Sequence, residues 1–262
     1  MTRRIKRRTR RRRRRRQRRR RRKTRRRRTR RLKKGGYNPL KDSCYQQSGD
    51  TCCFYSVRTA VEVALNQKLS SLIKELKEEG SFRKFAVCPK KKHDAGAENL
   101  DTTLPKFIEM FPKIAERLHY ERVPKEVQRR ATRRSSVSNK LFPNIQDILS
   151  ALKEGYVIIM LLQNYDNKKT RIIPYQLKKG EKMGPLFNGH CITCIGVDIE
   201  NNDFIFLDTN KENKSCIKRL SIDVLNNGIT AVTNAKGLDA PTLQRQHLYI
   251  QEMWKLKKKD II

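Results

Sequence analysis

The sequence predicts an α+β protein that follows a disordered basic tail. The first 34 of its 262 residues contain 26 of the 63 lysines and arginines and no acidic residue. Apolar residues then recur at helical spacing in the first half of the remaining chain, and runs of β-forming residues occupy the second half. We therefore predict two parts: a polycationic tail, residues 1–36, and one domain, residues 37–262.

The tail is predicted to be disordered and to bind nucleic acid. Like charges at this density repel one another, and the segment has almost nothing to bury. Guanidinium groups bind phosphate oxygens, whereas the first aromatic residue is Tyr37, so the tail lacks a side chain that stacks on bases. We expect sequence-nonspecific binding to the phosphate backbone, alone or together with nuclear import, rather than attraction to membrane lipids. The densest run comprises Arg11, Arg12, Arg13, Arg14, Arg15, Arg16, Arg18, Arg19 and Arg20.

Membrane-spanning and secreted proteins are not expected. The longest aliphatic run, residues 157–162, is far shorter than the roughly 20 residues that cross a bilayer. No apolar segment follows the N-terminal charges as in a secretory signal. Seven cysteines at irregular spacing suggest reduced thiols in a cytosolic or nuclear setting.

Helices are predicted before the strands. Apolar spacing indicates helices over residues 51–77 and 104–118, with Pro112 breaking or kinking the second one. Asn144 is suited to cap a short helix, residues 145–153, that ends at Gly155. Strands are expected over residues 156–162, 190–197, 204–208 and 217–220, and a cleft would lie between the helical and antiparallel β halves.

The start of the first helix carries the strongest candidate nucleophile. A cysteine in the first turn of a helix lies where backbone N–H dipoles favour the thiolate. Cys53 is in register with the apolar stripe and is expected to be a buried small residue, whereas Cys52 lies with Ser56 and Thr59, off that stripe. We therefore assign the nucleophile to Cys52. An upstream glutamine, Gln46, could donate its amide to an oxyanion.

The base is predicted to be His190. The four histidines are His93, His119, His190 and His247, and His190 opens an apolar strand in the second half. The next strand ends in Asp208, so a hairpin would bring its carboxylate near His190 Nδ1, where it would fix the tautomer. Cys194 shares a strand face with His190 and could line the cleft, while Cys191 points to the opposite face and cannot chelate a metal with it.

These residues resemble the papain-like cysteine peptidases. The resemblance covers residues 44–225 in pieces: residues 52–56 are similar to that family's Cys-Trp-x-x-Ser helix start, with Cys53 in place of Trp. Gln46 lies where the family has its oxyanion glutamine, Gly189-His190 with Gly196 is similar to the histidine signature, and Asp208 matches the orienting residue. The resemblance implies a papain-like fold in which the nucleophile helix packs on an antiparallel β half. The string at residues 49–52 also resembles deubiquitinating enzymes and favours Gln47 as the oxyanion donor.

The sequence thus predicts a cysteine-type peptidase, or a deubiquitinase-like isopeptidase, with a polypeptide substrate, no cofactor and no metal. An arginine-rich tail on such a fold resembles proteins of large DNA viruses, which implies a virion or a host nuclear or cytoplasmic location. The alternative is a catalytically inactive virion protein that packages DNA and keeps the papain-like fold.

Overall fold

The computed structural model describes residues 37–43, 45, 51–85, 100–123, 143–168, 171–174, 189–209, 216–234 and 247–260. Residues 39–262 form one compact unit, which contains every helix and strand of the described residues. The predicted basic tail lies outside the described residues. Within them, no helix is both long and apolar enough to cross a bilayer.

The first half is mainly helical, as predicted. The predicted helix over residues 51–77 is two helices, because Asn66 adopts a left-handed conformation with φ 52° and ends the first. The second predicted helix breaks at Phe111, immediately before Pro112. The helices are α1 (Pro39–Asp42), α2 (Cys52–Leu65), α3 (Leu69–Leu76), α4 (Phe82–Phe85), α5 (Leu100–Met110) and α6 (Pro112–Ala115).

The second half contains the four predicted strands and additional elements. The Asn144 side chain accepts a hydrogen bond from the Asp147 N–H, and the Asp147 carboxylate accepts one from the Asn144 N–H. This capping box starts the predicted helix at the expected residue. Gly155, at φ 80°, follows the helix end. The elements are β1 (Leu118–Arg122), α7 (Ile145–Lys153), β2 (Val157–Gln163), β3 (Tyr165–Lys168), β4 (Arg171–Pro174), β5 (His190–Asp198), β6 (Asp203–Leu207), β7 (Ile217–Ser221), α8 (Ile222–Asn234) and β8 (Tyr249–Lys258).

These strands form one eight-stranded sheet in the order β1-β8-β2-β5-β6-β7-β4-β3. The pairs are antiparallel except for β4 with β7, which is parallel, so the expectation of a purely antiparallel β half is wrong at that pair. Strands β1, β3, β4 and β8 and helix α8 were not predicted. The α+β class is confirmed, but helices and strands are less separated along the chain than expected.

Helices cover both faces of the sheet. On one face, α2 and α5 pack with the apolar side chains Val157, Ile159 and Leu161 of β2. On the other face, α7 and α8 pack over Ile158 and Met160 of the same strand. A strand with helices on both faces is buried along its whole length, which explains the uninterrupted apolar run of β2. Helices of the first half of the chain therefore cover only one face of the sheet. The other face is covered by α7 and α8, which belong to the half that was expected to be mainly β.

A buried carboxylate secures the first face at the segment before α2. Glu62, on α2, accepts hydrogen bonds from Ser43 Oγ at 2.5 Å and from the Tyr45 hydroxyl at 2.7 Å. It also accepts from Arg58 Nε at 3.1 Å and from the backbone N–H of Leu69 at 2.8 Å. These bonds hold the segments before and after α2 against that helix, which begins at the candidate nucleophile.

Candidate active site

Helix α2 begins at Cys52, as the sequence predicted. Cys53 is buried in the core with Val57 and Ala60, while Cys52 is partly exposed. The expectation that Ser56 and Thr59 lie off the buried face is wrong, since both side chains are buried. The helix therefore keeps Cys52 accessible at its first turn, where the helix dipole favours the thiolate form.

Two side-chain hydrogen bonds fix α2 to β5 close to the candidate site. Ser56 Oγ donates to the Cys191 carbonyl at 2.8 Å, and Thr193 Oγ1 donates to the Ser56 carbonyl at 3.1 Å. Both bonds are buried and join distant parts of the sequence, with separations of 135 and 137 residues. They set the distance between the start of α2 and the start of β5, the two places where Cys52 and His190 lie.

His190 is the first residue of β5 and is buried, with 7% of its surface exposed. It lies opposite Leu162 in the antiparallel pair of β2 and β5. It follows Gly189, where a Cβ would lie 2.8 Å from Gln163 Nε2, so a larger residue there would require the Gln163 side chain to shift.

The structure brings Cys52, His190 and Asp208 into one hydrogen-bonded chain. His190 Nε2 bonds to Asp208 Oδ1 at 2.8 Å. The Cys52 thiol lies within hydrogen-bonding reach of the His190 imidazole. The sequence prediction had the carboxylate at Nδ1, which is wrong, because Asp208 bonds to Nε2.

The charges of this chain support an ion pair. Burial by itself raises the pKa of the Cys52 thiol, but the hydrogen bond and positive charge of His190 outweigh burial and hold that pKa below its ordinary value. Burial lowers the pKa of His190, yet the hydrogen bonds and charges of Asp208 and Cys52 raise it to about 9. The charged form of each group is therefore stabilised by the other.

Asp208 is held from several directions. It follows β6 directly and is 1% exposed. Its backbone N–H donates to the Cys216 carbonyl at 2.7 Å, next to β7. Its second carboxylate oxygen, Oδ2, accepts from the Tyr165 hydroxyl at 2.6 Å. Tyr165 was missed at the sequence level, because it belongs to the unpredicted strand β3.

A buried lysine was also missed. Lys218, on β7 opposite Phe206 of β6, is fully buried. Among the described residues its ammonium has no hydrogen-bond partner. Burial lowers the pKa of Lys218, and the negative charge of Asp208 opposes that effect. In a half-buried strand a lysine is expected on the exposed face, so the sequence did not indicate that Lys218 is buried opposite Phe206.

The cysteines depart from the prediction of reduced thiols. Cys53 and Cys191 form a disulfide, with their Cα atoms 5.0 Å apart. The reason is positional: the buried face of α2 packs against the face of β5 that carries Cys191, so the two sulfurs meet in the core. Cys216 is also disulfide-bonded. The Sγ atoms of Cys52, Cys53 and Cys191 lie within 4.8 Å of one another, but the disulfide leaves Cys52 as the free thiol of this group.

Cys194 does not line a cleft, contrary to expectation. It is a free cysteine that is fully buried in the core between the sheet and helices α7 and α8. Burial raises the pKa of this thiol to about 12, so it stays protonated at neutral pH. Cys194 and Cys191 do face opposite sides of the sheet, as the strand periodicity predicted.

Some predicted site residues lie outside the described part of the chain. These are the oxyanion candidates Gln46 and Gln47 and the arginines of the tail, Arg11 to Arg16 and Arg18 to Arg20. Their roles stay predictions.

Among solved structures, the chain is similar to a bacterial protease. This is xylellain, a cysteine protease from Xylella fastidiosa, with a TM-score of 0.40 and 13% sequence identity over 83% of each chain. No protein-family model matches the sequence, and no curated protein sequence matches it.

Proposed function

We propose that the protein is a papain-like cysteine peptidase or isopeptidase that uses Cys52, His190 and Asp208 as its catalytic residues. The observation that carries this proposal is the hydrogen-bonded chain from the Cys52 thiol through His190 to the buried carboxylate of Asp208. A nucleophile, a base and an orienting acid in contact are the arrangement that acyl transfer requires.

The proposed reaction has two steps. The Cys52 thiolate attacks the carbonyl carbon of the substrate, and the His190 imidazolium gives its proton to the leaving amine, which produces a thioester. Water then attacks the thioester carbonyl while His190 takes a proton from it, and the carboxylic acid product leaves as the thiolate re-forms. Asp208 keeps the imidazole oriented throughout.

The oxyanion would be held by backbone and side-chain donors. The N–H of Cys52 lies at the start of α2, where amide groups have no partner within the helix. We propose Gln46 as the side-chain donor, with Gln47 as the alternative. Replacing each glutamine by alanine separates them, since the true donor's loss lowers kcat by roughly 100-fold.

The pH dependence of the proposed reaction follows from the two pKa shifts. The pKa of Cys52 is lowered, so thiolate is present below the ordinary thiol range. The pKa of His190 is raised to about 9, so imidazolium persists until that pH and is lost above it. Activity should therefore have an acid limb set by the thiol and an alkaline limb near pH 9.

Labelling with a thiol-reactive peptide probe tests the proposed nucleophile. Wild-type protein should be labelled and should cleave a polypeptide substrate, and Cys52→Ala should do neither. Cys194→Ala is the matched control, since it removes the other free thiol of the described residues, which is buried in the core. If wild-type protein is not labelled, or if Cys52→Ala is labelled equally, the proposed function is wrong.

We further propose that the arginine-rich tail binds nucleic acid without reading sequence and keeps the peptidase on it, in a virion or host nucleus of a large DNA virus. The support is charge: residues 1–34 carry 26 basic groups and no acid. Deleting residues 1–34 should abolish salt-sensitive retention on DNA and leave peptide cleavage intact. Retention that survives the deletion would refute this division of roles.

The tail also favours a second candidate, an inactive DNA-packaging protein that keeps the fold. The two functions predict different reactivity of the Cys52 thiol. The packaging protein would retain DNA binding in both wild type and Cys52→Ala but show no cleavage and no Cys52-dependent probe labelling in either.

A further inference from the structure

We infer that Tyr165 is a positioning residue of the catalytic machinery, which orients Asp208 through its hydroxyl and His190 through its ring. The inference rests on the proposed function and adds a fourth residue to it. Tyr165 acts through the two residues that set the protonation state of Cys52.

The first contact fixes the Asp208 carboxylate. Its two oxygens have different partners: Oδ1 bonds to His190 Nε2 at 2.8 Å, and Oδ2 accepts from the Tyr165 hydroxyl at 2.6 Å. With one oxygen bound on each side, the carboxylate cannot turn about its Cβ–Cγ bond without breaking a buried hydrogen bond. The hydroxyl therefore selects the rotamer that points Oδ1 at the imidazole.

The second contact restrains the imidazole. The Tyr165 and His190 rings are 4.6 Å apart between centroids, with a tilt of 33° between their planes. An offset arrangement of this kind resists rotation of the histidine ring about its Cβ–Cγ bond. The same tyrosine thus touches both partners of the His190–Asp208 hydrogen bond and leaves less room for water beside it.

The backbone at Tyr165 is itself well defined. It follows Asn164, whose left-handed conformation, φ 55°, turns the chain from β2 into β3. The Asn164 amide donates to the His247 carbonyl at 2.7 Å, just before β8. Tyr165 then pairs with Pro174 of β4. A tight turn that begins on the buried strand β2 thus delivers the tyrosine to the triad.

Tyr165→Phe isolates the hydroxyl, because it keeps the ring and removes the bond to Asp208. Without that bond, Oδ2 is buried without its donor and the carboxylate can turn from His190, so the imidazolium and the thiolate are both less stabilised. The pH range over which thiolate and imidazolium coexist should narrow at both ends. On the acid limb of the profile, the rate of Cys52 alkylation by iodoacetamide should fall about tenfold at a given pH, which corresponds to about one unit of pKa.

The matched control is Tyr156→Phe. Tyr156 is also largely buried, and its hydroxyl bonds to His119 Nδ1 at 3.1 Å at the other end of β2. Both variants lose one hydroxyl with a histidine or carboxylate partner, but only Tyr165 contacts the triad. Tyr156→Phe should leave the alkylation profile unchanged, even where it lowers the melting temperature.

Alkylation of Cys52 as a function of pH, measured for wild type and both variants, decides between these outcomes. A narrower profile in Tyr165→Phe alone supports the inference, and a profile equal to or wider than wild type overturns it. A wild-type profile with no reactivity below the ordinary thiol range would instead refute the proposed ion pair and with it the proposed function. Should Tyr165→Phe fail to fold, Tyr165→Met, which keeps an apolar side chain at this position, takes its place with the same criteria.

Discussion

The disulfide between Cys53 and Cys191 is expected to contribute a large part of the free energy of unfolding. The two cysteines are 138 residues apart, and the entropy of closing a loop of that length in the unfolded chain corresponds to about 5 kcal/mol. Whole domains are stable by roughly 5–15 kcal/mol. Replacing both cysteines by alanine should therefore bring the protein close to unfolding under non-reducing conditions.

Urea denaturation without reductant measures this effect. The double variant Cys53→Ala/Cys191→Ala should unfold at a much lower urea midpoint, and its m value should rise slightly because its unfolded chain is less compact. Cys194→Ala is the control, since it removes a buried sulfur that makes no disulfide and should cost only roughly 1 kcal/mol. A double variant that loses no more stability than this control would refute the disulfide's role.

Three further substitutions have defined outcomes. Asp208→Asn should lower the pKa of His190 from about 9 toward its ordinary value of 6.5 and reduce kcat by roughly 100-fold or more. A pH profile of peptide cleavage measures both effects. An alkaline limb that stays near pH 9 would contradict the expected loss of the Asp208 charge effect. Lys218→Met should raise the free energy of unfolding at neutral pH by about 1–3 kcal/mol, since it removes a buried ammonium. Because the fold lowers the lysine pKa, wild type should gain stability as pH rises toward 10.5, and a difference that does not shrink at high pH speaks against this. Glu62→Ala should cost about 3–5 kcal/mol in urea denaturation, since Arg58 loses its buried acceptor, and a cost under about 1 kcal/mol would exclude a stabilising role.

Local signals in the sequence were enough to predict the elements that carry the candidate site. Asn144 and Gly155 mark the two ends of α7, and the apolar run that comes next is β2. The polar turn between β5 and β6 predicts a hairpin, and its antiparallel pairing returns the chain toward the start of β5. That return places Asp208 beside His190, so the candidate base and its orienting acid depend on contacts only 18 residues apart.

The residues that were missed depend on contacts distant in the chain. Tyr165 belongs to β3, and β3 and β4 join the sheet through a parallel pair of β4 with β7, for which no short-range pattern exists. Strand β8 was not predicted because its lysines interrupt the apolar pattern. Lys255 is partly exposed and pairs with Glu121 on β1 at 3.1 Å, while most other residues of the strand are buried or partly buried. The Cys53–Cys191 bond requires knowing that α2 lies on β5, which their spacing of 138 residues does not reveal.

The central claim is that Cys52 and His190 form a thiolate–imidazolium pair, and the ultraviolet absorbance of the thiolate tests it most directly. The difference between the spectra of wild type and Cys52→Ala should contain the thiolate band at pH values below the ordinary thiol range, because the hydrogen bond and charge of His190 outweigh burial and lower the pKa of Cys52. The band should persist until pH falls through that lowered pKa. A difference spectrum without the band at neutral pH, in which it appears only as pH passes about 8.5, the value of a free thiol, would contradict the claim.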